Sequence, residues 1–512
     1  MFRKSAASLF AFTAVASALA MLPAAPVMAA DEAKGPTHHD MDLVGTNDLQ
    51  ARSAYQPTVH KQGGRYILYV GHHGLGTNPV AGGQLPSFNP LTGKNEPNGT
   101  SIVDVTDPKH PVYLAHIPVG TPVTPPALPT NGGAQFVRVC DGSTLPVHDS
   151  NVYMLRGFAN SKQEIWNTTN PSNPVLVSTV IASLAGNHKS WWECDTGIAY
   201  TVGRRTADTA AGWGPGNHIF VFDLGHPASP KFIRDWALNG QQPGSVIPPL
   251  FTTTGVPSIH GPISTGPVGG SIALAGATPN RVYFAYGTEE NGVMQIVDRS
   301  KLLASAASDY VSPEVGRWVM TEDQGGHTSF PIGKIAVPDF APNEEGNVRD
   351  FVVVVSEETH NQCTGSRNLT YMVDVTTESR PQGQANYQVP ESEGSFCERG
   401  GRFGPHATNE EFGPPFYQKV VFISYFNAGV RAVDVRDPYN PAEVGFYIPA
   451  TTANTDYRCK VDGDPTTCKI AIQTNNVATD DRGYIYIVDR ADTGLHILEL
   501  KGQARKIALP NK

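Results

Sequence analysis

The sequence predicts an all-β fold: a seven-bladed β-propeller of four-stranded antiparallel blades, with the ring closed by the N-terminal strand. Three observations predict it: a phrase that returns seven times, an apolar β run ahead of every copy, and 51 glycines and 42 prolines in 512 residues. Val, Ile, Tyr and Phe come in short runs separated by Gly, Asn, Asp and Pro, with no helical period. That pattern belongs to strands joined by turns.

The repeated phrase is a β run, an Asp or its substitute, a proline-bearing turn and a second β run. It begins at Thr100 (TSIVDVTDPKHPVYLAHIPVG), Gln163, His218, Val293, Thr370, Val430 (VRAVDVRDPYNPAEVGFYIPA) and Leu495. Runs such as RYILYVGHH, DFVVVVSEETH and YIYIVDRADTG precede the copies, and one more short segment precedes each run, giving four strands, a to d. Seven such sheets set radially hide most of their edges by repetition. The last copy, LHILEL, lacks the turn and outer strand, while HHDMDLVGTNDL near the N-terminus has an outer-strand pattern and is expected to complete that blade.

The runs IVDVTDP, AVDVRDP and MVDVT resemble the LVIVD-repeat family. The resemblance covers essentially the whole mature chain and implies the propeller architecture and an exported or surface location. It implies no particular reaction, because a fold does not fix a function.

Residues 1–29 have the pattern of a secretory signal peptide: Arg3 and Lys4, an apolar middle, then a small-residue site ending at Ala29. Residues 30–512 are then the propeller, periplasmic or secreted. No later run reaches the roughly 18 apolar residues of a membrane span. Six cysteines without metal-knuckle spacing read as disulfides in an oxidising compartment. Cys459 and Cys468 flank a short polar loop and form the clearest pair; Cys140 with Cys194 and Cys363 with Cys397 follow from neighbourhood alone. The net charge of −9, with no concentrated basic stretch, argues against a nucleic-acid partner.

In a meander blade the start of strand a and the end of strand b meet at one rim. His188, His260, His327 and His406 open strand a in the third to sixth blades, so they are expected to converge at the mouth of the channel as metal ligands. Imidazoles without an obligatory carboxylate suit iron(II), copper or, less typically, zinc. Strand-b ends on the same rim bring His72, His73, Glu289, Glu290, Glu357, Glu358 and His360, with Arg399 and Arg402 entering the sixth blade. These are candidates for outer-sphere support or substrate contact, against the plainer reading of a solvated rim. The connections Gly76 to Asn98, Pro118 to Gly133, Leu238 to Ser258 and Leu302 to Gly325 are expected to cover the mouth.

No G-x-S-x-G, H-E-x-x-H or P-loop occurs. The expectation is an exported metal-dependent oxidoreductase or oxygenase acting on a small organic molecule, its oligomeric state open. Carotenoid-cleaving oxygenases and selenium-binding-type thiol oxidases are similar in architecture, although this sequence lacks their motifs. The alternative is a non-catalytic propeller that binds a partner, with structural histidines.

Overall fold

The computed structural model describes residues 36–510, apart from 75–76, 79–82, 85–87, 126, 128–131, 249–250, 252–254, 289–290 and 338–347. The expected signal peptide, and Glu289 and Glu290, lie outside the described residues.

Seven antiparallel sheets form the blades. The first runs Ala54–Gln62, Arg65–His72, Gly99–Asp104 and Val112–Pro118; the second starts at Val137–Asp141 and the third at Leu184–Asn187. The fourth, fifth and sixth open with Ile259–Ser264, Gly326–Ala336 and Ala407–Thr408, the seventh with Thr474–Thr479. Each inner strand packs beside the next, and Ala54–Gln62 lies against Thr474–Thr479, which closes the ring.

The repeated phrase has a local cause. The Asp or Asn ending strand c accepts a hydrogen bond from the backbone N–H two residues on, forming an Asx turn that reverses the chain into strand d. Asp104 takes Thr106 N–H at 2.9 Å, Asn167 takes Thr169 at 3.0 Å, Asp374 takes Thr376 at 2.9 Å and Asp434 takes Arg436 at 3.0 Å. In the fourth blade Asp298 instead caps a short helix, Arg299–Ala304, by accepting Lys301 N–H at 2.9 Å.

That helix changes one expectation. The stretch from Leu302 to Gly325 is not a loop over the mouth, because Glu314–Val319 within it forms the outer strand of the fourth blade, pairing with Val293–Asp298. The sequence EVGRWV is a counterpart of EVGFYI in the sixth blade, displaced by the inserted helix.

The N-terminal segment closes the ring as expected and does more. Met41–Asn47 pairs with Leu495–Leu500 as the outer strand of the seventh blade, while Thr37–His39 pairs with Ala442–Ile448 as a fifth strand of the sixth. The chain steps between the two blades at Asp40, whose φ is 47° and whose carboxylate takes Gln503 N–H at 2.7 Å. Gly45 allows that outer strand to meet the first blade, since a Cβ there would stand 2.2 Å from the Pro108 carbonyl oxygen.

Apolar side chains between adjacent sheets form the core; Trp236, Tyr286, Phe351 and Ile423 belong to the largest cluster. Three disulfides pair Cys140 with Cys194, Cys363 with Cys397 and Cys459 with Cys468. Among the described residues no helix is long and apolar enough to cross a membrane.

Candidate functional site

The second residue of the inner strand carries the site, and a backbone irregularity aims it. In the first, fourth, fifth and seventh blades the register between strands a and b slips by one residue, skipping Tyr55, His260, His327 and Asn475. A bulge of this kind re-aims the extra side chain, here toward the axis. His188 and His406 occupy the same level in the third and sixth blades, held by N–H bonds to Val202 O and Ser424 O.

The four imidazoles form a contiguous arc, with ring centroids 4.1 Å apart from His188 to His260, 3.8 Å from His260 to His327 and 4.1 Å from His327 to His406. His188 Nε2 and His260 Nε2 lie 2.7 Å apart. Tyr55 closes the arc on the first-blade side, its hydroxyl 3.1 Å from His327 Nε2 and its ring edge-on to His406.

Burial depresses all four rings toward the neutral form, His406 to about 3. The tautomer of His406 follows from its partner: Nδ1 lies 2.6 Å from the Asn475 carbonyl oxygen, which can only accept. The proton is therefore on Nδ1, and Nε2 presents a lone pair that is buried without a hydrogen-bond partner.

Glu357 stands at the centre of this arc, more intimate with it than an outer-sphere residue. Its carboxylate is 3.4 Å from His260 Nε2 and 3.6 Å from His406 Nε2, and one donor atom from each of His260, His327 and Glu357 lies within 4.8 Å of the others. Burial by itself would raise its pKa, and the guanidinium of Arg402 pulls in the opposite direction. Arg402 Nη1 donates to it at 3.1 Å.

Glu357 follows the last paired residue of strand b in its blade, Ser356 opposite Gly326. The same position is His73 in the first blade, after His72 opposite Ala54, and Arg490 in the seventh, after Asp489 opposite Thr474. His73, Glu357 and Arg490 thus form an upper tier at the ends of strand b in the first, fifth and seventh blades. All three line a cavity of about 410 Å³ together with Tyr55, His188 and His260. Lys189, the residue after His188, pairs with Glu410, which also binds Arg138; Lys189 and Glu410 are buried.

Other expected residues lie apart. His72 is buried between strands of the first blade, its Nε2 2.7 Å from Ser101 Oγ, and it does not face the axis. Glu358 accepts from Asn368 Nδ2 at 3.2 Å and from His360 N–H at 2.8 Å, so it orders a loop; the His360 side chain is half exposed. Arg399 donates to Gly394 O at 2.7 Å and lies over the Phe396 ring.

Tyr55 and Arg490 are the participants that sequence reading missed. Tyr55 sits in AYQPTVHKQ at the aligned position of the histidines, and Arg490 ends YIYIVDR where Glu357 ends VVVVSE. Alignment by position instead of residue type would have found both.

No family model matches the chain, and no curated protein matches it. Among solved structures it is similar to Raptor from Chaetomium thermophilum, at 10% identity over 88% of this chain and a TM-score of 0.45. The aligned part is 30% of Raptor. It is also similar to the Pan2 WD40 domain of Neurospora crassa, at 10% identity over 90% of this chain and 96% of that one, TM-score 0.43. The Dos1 propeller is similar at 9% identity, with the same coverage and TM-score. Likenesses this distant carry no argument about function.

Proposed function

We propose that the chain is an exported metal-dependent oxidoreductase or oxygenase, acting on a small organic molecule above the histidine arc with iron(II) as its ion. One observation carries the reading: His406 Nε2 offers a lone pair in the protein interior with no donor to meet it. A buried acceptor left in that state costs about 1–3 kcal/mol, and a cation among neighbouring neutral imidazoles removes the cost. The carboxylate of Glu357 beside His260, His327 and His406 adds one carboxylate to a set of imidazoles, the kind of mixed donor set that holds iron(II) with open positions.

When bound, such an ion supplies redox or Lewis-acid chemistry at positions facing the cavity. The chain's own residues do the rest. Asn475 fixes the His406 tautomer through its carbonyl, and Arg402 holds Glu357 in place. A substrate reaches the arc from the cavity, which His188, His260 and Glu357 line. Three disulfides suit an oxidising compartment, periplasmic or extracellular.

The second reading is a non-catalytic binding module with structural histidines. It is favoured by the ring contacts near 4 Å and by the Tyr55 hydroxyl already bonded to His327 Nε2. Metal analysis of protein purified without a histidine tag separates the two. The expected result is one iron per chain, lost in His406→Ala while circular dichroism stays unchanged; no metal in either protein favours the binding module.

A further inference from the structure

The upper tier holds two donors with nothing to donate to. Arg490 Nη1 is buried and makes no hydrogen bond, its nearest carboxylate oxygen, on Glu357, being 3.9 Å away. His73 is the second. Gln135 Nε2 lies 3.0 Å from His73 Nδ1 as a donor, so the imidazole proton sits on Nε2, which is also buried without a partner. The two residues occupy equivalent positions in adjacent blades, the seventh and the first, and both line the same cavity.

The charge around them is unbalanced in one direction. Glu357 faces two guanidinium groups, of Arg402 and Arg490. One positive charge is left over beside two unused N–H groups.

We propose that this cavity binds a small organic carboxylate, its two oxygens accepting from Arg490 Nη1 and His73 Nε2. The proposal names the substrate class for the reading above and rests on that reading only for the chemistry, since carboxylate binding needs no bound ion. A planar, two-oxygen anion matches paired N–H donors of this kind. A cavity of about 410 Å³ admits a molecule of benzoate size.

Calorimetric titration of the metal-free full chain with benzoate, benzamide and inorganic phosphate tests it. Benzoate is expected to bind one to one, and benzamide and phosphate at least tenfold more weakly. Arg490→Gln and His73→Phe should each weaken benzoate at least tenfold, and Arg490→Lys less than Arg490→Gln. Thermal unfolding of each variant identifies any that fails to fold, and His73→Phe then decides alone. Equal binding of benzamide, preference for phosphate, absence of benzoate binding at millimolar concentration, or unchanged affinity in both variants would overturn the proposal. Iron content of the protein as purified, measured separately, reports on the histidine arc: no iron in the purified protein, with benzoate still bound by the metal-free chain, sinks the metal and leaves the carboxylate site.

Discussion

Tyr55 shows how a single side chain can report on the site. Its hydroxyl satisfies His327 Nε2, the atom that an ion would also use. Tyr55→Phe should therefore lower the stability of metal-free protein by about 1 kcal/mol, the usual worth of a buried hydrogen bond. The same variant should bind iron more tightly than wild type, because nothing competes for that nitrogen. Paired urea melts, with and without iron, check both halves; equal destabilisation in the two states would exclude His327 as a ligand. Two histidines away from the arc predict the pH response. Burial pushes His72 down to about 3 and His496 to about 4, so both are neutral in the fold. In the unfolded chain they titrate near ~6.5. The unfolded state then takes up protons first as pH falls. Stability is complete above about pH 6.5 and is lost toward the folded values, by ~1.4 kcal/mol per pH unit per group. The melting temperature of metal-free protein should fall between about pH 6 and 4, and a flat profile would contradict the buried neutral state.

At the scale of strands and turns, the covalent ties carry a measurable share of stability. Cys140 lies one residue before the end of the inner strand of the second blade and Cys194 lies in the third, and their bond spans a sequence separation of 54. Cys140→Ala with Cys194→Ala should cost about 2–4 kcal/mol, read as a lower urea midpoint. The turns were legible from sequence because each is local: Asp104, Asn167 and Asp434 meet a backbone N–H two residues away, so the phrase shows itself wherever it recurs. The outer strand Glu314–Val319 was not legible, because the helix after Asp298 moves it out of phase with the other copies. The bulges that aim His260 and His327 have no sequence mark either, being set by pairing with strands twenty or more residues away.

For the ring as a whole, the decisive contact joins the two ends of the chain. Met41–Asn47 covers the edge of Leu495–Leu500, and without it that row of backbone groups would face solvent. Deleting residues 36–47 should cost several kcal/mol, a fall of roughly 10 °C at ~2–4 °C per kcal/mol. Differential scanning calorimetry checks it. Loss of only a degree or two would mean that the ring holds without its closing strand.

Repetition let the sequence determine the propeller, the order of its blades, the closing strand and the four histidines at one level, because each depends on spacing that recurs along the chain. Only the tertiary structure decided that Glu357 reaches the centre of the arc, that Tyr55 occupies a histidine's place, and that Arg490 and His73 face one cavity with unused donors. The reason is physical. A repeat fixes where a backbone position lies around the axis, whereas the partner of a side chain there depends on groups from other blades, brought within a few ångströms only when the ring closes.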